Sequence, residues 1–82
     1  MNSTNDQDIL HKIHELVAEE HRLRAEAENK SAAPDHNRIS QIEVELDQWW
    51  DLLRERRALR NAGKDANEAK LRPPQVVENY KQ

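Results

Sequence analysis

Cysteine and phenylalanine are absent from this 82-residue chain, and Gly63 is its only glycine. Without cysteine there are no disulfides, no thiolate metal sites and no thiol nucleophile. A single glycine cannot build a glycine-rich phosphate loop. No apolar run approaches the ~20 residues of a membrane-spanning helix. The first residues, Met1-Asn2-Ser3-Thr4-Asn5-Asp6, are polar and lack the basic and apolar regions of a signal peptide, which sets the expectation of a cytoplasmic protein. Aromatics are scarce, limited to Trp49, Trp50 and Tyr80. Hydrophobic and charged residues each make up 35% of the chain. That balance is poor in core-formers and rich in helix-formers, as in long amphipathic helices or a coiled coil. A single short domain with no staples struggles to stabilise itself on one core, and association is the usual remedy.

The apolar residues that are present follow helical periods. Ile9, Ile13, Leu16, Leu23 and Ala27 define a heptad seam in which Glu20 takes one slot, and Leu10 and Val17 widen the stripe. The spacing predicts a first helix over about 5–29. Thr4 and Gln7 stand in capping-box spacing, and Asp6 and Asp8 suit the positive end of the helix dipole. Residues 30–35 form a turn, with Pro34 as a natural first-turn residue of the next helix. A second helix is expected over about 35–61, with the seam Ile39, Ile42, Leu46, Trp49 and Leu53. Its next two slots fall on Arg56 and Arg60, and Gly63 marks the stop. The short turn forces an antiparallel hairpin, 1–62. Residues 63–82 read as a linker and a short helical segment after Pro73-Pro74, with Val76, Val77 and Tyr80 on one face. In such a hairpin Ile9, Leu10 and Ile13 lie opposite an arginine-rich stretch. The tail is therefore expected to fold back over them, helped by arginine stems. The fold class is thus all-α: an antiparallel two-helix hairpin, coiled-coil-like, with a folded-back C-terminal segment. Leu10, Val17, Trp50 and Leu52 flank the seams and predict a homodimer that forms a four-helix bundle.

Charge is unevenly distributed. Residues 6–28 carry seven acids against three bases, and residues 54–72 carry seven bases against three acids. The formal net charge is −3, which weighs against a general nucleic-acid binder. Arg54, Arg56, Arg57 and Arg60 follow the Trp49-Trp50 pair on the same helix. Two readings compete for them: internal pairing with Glu15, Glu19 and Glu20 across the hairpin, or binding of an external anion.

Several blocks taken together resemble a known family. They are Asp6-Gln7-Asp8-Ile9-Leu10, Glu19-Glu20-His21-Arg22-Leu23-Arg24, Leu46-Asp47-Gln48-Trp49-Trp50-Asp51-Leu52-Leu53-Arg54 with Arg56-Arg57-Ala58, and Arg72-Pro73 with Val76-Val77-Glu78 and Tyr80. The chain is similar along nearly its whole length to small actinobacterial proteins that share a domain of unknown function. The tryptophan–arginine block is the most specific part. The resemblance implies a soluble helical protein and carries over no activity.

Catalytic and metal constellations do not assemble from the pattern. His11 and His14 are three apart, yet no histidine has a glutamate three residues before it, as a di-iron bundle requires. His11 with Glu15 offers at most two ligands. No serine or threonine lies near a suitable base. The expectation is a protein that is not an enzyme and holds no cofactor or metal. Trp49 is placed in the core and Trp50 at an interface, and Glu20 reaches solvent or an arginine. The function expected is a helical binding or adaptor module presenting Trp50, Arg54, Arg57 and Arg60 to a protein partner. The alternative is an accessory factor that meets RNA or a ribonucleoprotein through the arginine cluster.

Overall fold

The computed structural model describes residues 5–79. Helix α1 spans Asp6–Asn29 and helix α2 spans His36–Asn61. A single 3-10 turn at Ala66–Glu68 and the short helix α3, Pro74–Asn79, complete the chain. The described residues contain no strand, and the two long helices pack against each other. Ion pairs running from Asp6 to Arg60 at one end and from Arg24 to Glu43 nearer the turn make the hairpin antiparallel.

The caps explain where the helices begin and end. Asn5 caps α1: its side chain accepts from the Asp8 backbone N–H at 2.8 Å, and the Asp8 carboxylate accepts from the Asn5 N–H. The box therefore sits on Asn5 and Asp8, one residue later than Thr4 and Gln7; Thr4 lies outside the described residues. Asp35 caps α2 through the Arg38 N–H at 3.2 Å. Pro34 precedes that cap and is not part of the helix's first turn. Both long helices end in a left-handed residue followed by a bond back five positions. Ser31 (φ 52°) is followed by Ala32 N–H to Ala27 O, and Gly63 (φ +75°) by Lys64 N–H to Leu59 O. Glycine takes this conformation without strain at Gly63. At Ser31 a side chain is forced into it, and the two backbone bonds of the motif hold it there.

The hairpin core holds Ile9 and Ile13 of α1 against Leu52 and Leu53 of α2, with Val17, Leu46, Trp49 and Ala69 packed around them. Leu16, Ala27, Ile39 and Ile42 continue the seam toward the turn. Leu52 is therefore inside the monomer's own core, 5% exposed, and does not widen an outer stripe. Ala69, Leu71 and the 3-10 turn lie alongside it.

The tail folds back, but onto a different surface from the one expected. Helix α3 packs on α2, and its backbone does not come alongside α1. Ile9 and Ile13 are covered by Leu52, Leu53 and Trp49, not by Val76 and Val77. The reason lies in the rotation of α2. Asp51 is two residues before Leu53, about 200° around the helix, and it is Asp51 that holds the tail. Val77 is buried there, 3% exposed, while Val76 remains exposed. Tyr80 lies outside the described residues. No described helix is long and apolar enough to cross a membrane.

Candidate functional site

The segment Trp50–Arg60 sends successive side chains to different surfaces of α2, and each surface has a distinct chemistry. Leu52 and Leu53 enter the core. Arg56 follows in the seam and is the most deeply buried arginine, with 9% of its side chain exposed. Its Nε donates to Asp6 Oδ1 at 2.7 Å, and its Nη1 donates to the Ala66 carbonyl at 3.3 Å and to Asn67 Oδ1 at 3.0 Å. One guanidinium thus ties together the start of α1, the end of α2 and the 3-10 turn. Arg60 joins from the next turn, with Nη2 on Asp6 Oδ2 at 2.6 Å and Nη1 on Asp6 Oδ1 at 3.2 Å.

On the opposite side, Asp51 is a buried carboxylate with 3% of its side chain exposed. Arg72 grips it as a fork: Nε donates to Oδ2 at 2.8 Å and Nη2 to Oδ1. Gln48 Nε2 donates to the Arg72 carbonyl at 3.1 Å, so α2 holds both the backbone and the side chain of this residue. Glu55 Oε1 is buried without a hydrogen bond and lies 3.7 Å from Arg72 Nε as a second counter-charge. Pro73 and Pro74 follow at once and launch α3 from that anchor.

The expected pairing of Glu15, Glu19 and Glu20 with the arginine block does not form. Glu19 takes a fork from Arg38, with both bonds at 2.8 Å. Glu20 pairs with Arg24 at 3.3 Å, as expected of a seam glutamate that reaches an arginine. Glu15 meets His11 at 3.2 Å in an exposed i,i+4 pair. The antiparallel register explains the exchange: Glu19 sits near the start of α2, about 25 Å or more along the helix from Arg56. Internal pairing thus applies to Arg56 and Arg60, with Asp6 as the acceptor.

Two carboxylates titrate below their ordinary range. Asp6 is lowered by its hydrogen bonds from Arg60 and Arg56, and Glu19 by its hydrogen bond from Arg38. A depressed folded-state pKa contributes stability above the unfolded-state value, and that contribution is lost as pH falls through the folded-state value. The melting temperature should therefore drop as pH is lowered below about 4. The Asp6→Asn variant should melt lower at neutral pH and show a shallower acid drop. Thermal melts across pH 2–7 check this, and parallel curves for the two proteins would contradict it.

Of the arginines, Arg22, Arg24, Arg38, Arg56, Arg60 and Arg72 each have a carboxylate within 4.0 Å. Arg54 and Arg57 are exposed and make no ion pair with another described residue. Beside them Trp50 is 42% exposed, the one tryptophan left in solvent. Trp49 is half-buried against the core. The structure therefore brings Trp50, Arg54 and Arg57 together on one face of α2. It commits Arg60 elsewhere. A shallow groove runs beside that face, formed by Trp50, Arg54, Glu55 and Ala58 on α2 and by Arg72 and Val77 of the tail. Pattern reading missed Asp51 as the buried anchor and Asp6 as the shared acceptor. An aspartate inside an apolar run (Trp50-Asp51-Leu52-Leu53) was the only signal available for the first. Among the described residues, no three His, Asp or Glu side chains are grouped as a metal would require.

The profile of a family described as protein of unknown function (DUF2630) matches residues 5–82. The chain belongs to that family. Uncharacterized proteins of Mycobacterium bovis and Mycobacterium tuberculosis are each 48% identical to it over 77 residues, covering 92% of this chain and 88% of theirs. The resemblance to an uncharacterised actinobacterial family, read from blocks along nearly the whole chain, is thus shown. No solved structure matches the chain. In this DUF2630 chain, the match takes in both arginine anchors and the Trp50 face.

Proposed function

We propose that this DUF2630 protein is a non-enzymatic helical binding module whose docking surface is the α2 face carrying Trp50, Arg54 and Arg57. One observation carries the reading. Six arginines are satisfied by the chain's own carboxylates, while the two beside the exposed tryptophan are left for something else. Tryptophan and arginine are the side chains that most often anchor protein interfaces, because each combines a large contact area with directed polar groups. The hairpin and its tail supply a rigid support: Arg72 and Arg56 fix the surrounding elements, so little ordering is needed on binding. Association of two hairpins into a four-helix bundle, in the cytoplasm, belongs to the same proposal. Arg60 is not part of the surface, because its guanidinium is bound to Asp6.

The RNA alternative draws on the same groups, since guanidinium and indole stack on bases. Glu43 and Asp47 precede Trp50 on the same helix, and the chain is acidic overall, which opposes a phosphate backbone. The combined variant Trp50→Ala, Arg54→Gln, Arg57→Gln tests the proposal. All three side chains are exposed on the single hairpin, so its helicity and its own melting, read at dilution, should be nearly unchanged. Capture of the partner from native extract should be lost. A variant that binds as the parent does would refute the surface. Salt-sensitive retention on RNA, lost in the same variant, would favour the alternative.

A further inference from the structure

Five side chains of α2 recur at intervals of four, three, four and three residues: Glu43, Asp47, Trp50, Arg54 and Arg57. That spacing sets them in a single stripe along one helix face. Glu43, Trp50, Arg54 and Arg57 are exposed and Asp47 is half-buried. The stripe is about 21 Å long at 1.5 Å per residue. Its order is acid, acid, tryptophan, base, base. A two-fold axis through Trp50, perpendicular to the helix, exchanges the position of Glu43 with that of Arg57. It exchanges the position of Asp47 with that of Arg54.

We propose that this stripe binds a second copy of the chain, with the two α2 helices antiparallel and the Trp50 side chains meeting at the two-fold axis. The proposal rests on the docking reading above and names the partner of that same face. In this arrangement Arg57 of each copy meets the partner's Glu43, and Arg54 comes alongside the partner's Asp47, which also keeps an interaction within its own chain. Each contact occurs twice. A parallel arrangement would set acid on acid and base on base, which costs several kcal/mol in close contact.

The charge order excludes simpler occupants. A uniformly acidic partner suits Arg54 and Arg57 but not the other end, where four acids line one cleft with Trp50 and Arg24 pairs with two of them. A uniformly basic partner meets the reverse problem. A surface with the opposite order of charge satisfies both ends, and the chain carries that surface itself. The Glu43–Arg24 pair does not remove Glu43 from this role, because it is solvent-exposed and 3.8 Å long.

Helix α1 supplies the apolar border of the same interface. Arg24 reaches Glu43 across the hairpin, and Glu20 shares a cleft with Trp50. Asp6 bonds Arg56 and Arg60 across the hairpin, so four residues further along α1 Leu10 lies about level with Arg54. Seven residues beyond it, Val17 lies about level with Asp47. Leu10 is 36% exposed and Val17 half-buried. A second α2 laid along the stripe covers both, together with Trp50.

Charge reversal tests the geometry. One variant carries Arg54→Glu and Arg57→Glu, and the other carries Glu43→Arg and Asp47→Arg. Sedimentation equilibrium of the full chain should give a dimer, about twice the 9.6 kDa chain mass. Each variant alone should dissociate, with a dimer dissociation constant raised at least about tenfold. An equimolar mixture should form a heterodimer, visible by native mass spectrometry, because every facing pair is again complementary. Should a double variant lose helicity, the single pair Arg57→Glu and Glu43→Arg carries the same test. Dimers that persist in each variant, or a mixture that stays monomeric, would overturn the arrangement. A wild-type monomer at tens of micromolar would also overturn it. If that monomer still captures another protein through Trp50, Arg54 and Arg57, the docking surface stands and only the second copy falls. If it captures nothing that depends on those residues, both fall.

Discussion

Replacing Arg56 by alanine is expected to lower the melting temperature by more than about 12 °C. Arg56 is a buried cation that satisfies three separate acceptors: Asp6, the Ala66 carbonyl and Asn67. Removing one partner of a buried pair costs about 3–5 kcal/mol, since the groups left behind keep their desolvation penalty. In a domain of this size 1 kcal/mol moves the melting temperature by roughly 4–8 °C. Asp6 retains Arg60, which limits the loss at that end. The Ala66 carbonyl keeps the Ala69 N–H at 3.1 Å, so the main loss there is the tie to α2 and not the carbonyl's only donor. The Arg56→Met variant separates packing from polarity, because it keeps an apolar stem and removes the donors. It should melt between the alanine variant and the parent. An Asp6/Arg56 double-mutant cycle should show a coupling of about 1–3 kcal/mol. Alanine and methionine variants that melt within 2–3 °C of the parent (less than ~1 kcal/mol) would show that the three-way tie carries little stability.

The second large effect is expected at Arg72. Its removal leaves Asp51 as a nearly inaccessible carboxylate beside Glu55. Keeping that charge buried and unpaired would cost about 3–5 kcal/mol. The chain has a cheaper route, which is to release the tail and let water reach Asp51. What is then lost is the burial of Val77, about 1.5–3 kcal/mol, together with the Gln48 bond to the Arg72 carbonyl, and the freed backbone regains entropy. The Arg72→Ala variant should therefore lose a few kcal/mol and do so locally. Amide exchange of residues 70–79 should rise to that of free peptide, while α1 and the first half of α2 stay protected. Asp51→Leu combined with Arg72→Met should restore much of the loss, because a buried pair replaced by apolar groups of similar size is often neutral. Uniform loss of protection across both helices would instead make the tail part of one cooperative unit with the hairpin.

The two long helices were legible because their signals are local. The seam Ile9, Ile13, Leu16 and Ile39, Ile42, Leu53 repeats at helical period, and Asn29 to Asp35 and Gly63 interrupt it within a residue or two of the observed ends. The side to which the tail returns was not legible. Periodicity sets Val76 and Val77 on one face and asks for cover there, which only Val77 receives. It does not say which of two helices offers it. That was decided by one buried carboxylate, Asp51, on the side of α2 turned away from Leu53. The exposed Trp50 was anticipated from its place beside the seam. The charge partners were not: Glu15, Glu19 and Glu20 were matched to arginines by sign, whereas the structure matches Glu19 to Arg38 by level along the hairpin.

What the sequence determined by itself is what depends on neighbours within a turn or two: helical state, approximate ends, the apolar seam, the antiparallel return, and the membership signalled by the Trp–Arg block. Tertiary structure alone decided which cations are spent. Arg56 and Arg60 go to Asp6, some fifty residues away in the chain, and Arg72 goes to Asp51. Arg54 and Arg57, with the same side chain and the same local surroundings, are left facing outward beside Trp50. A rotation of 100° per residue sends adjacent arginines to different faces. An ion pair forms only where another element brings a carboxylate to that face.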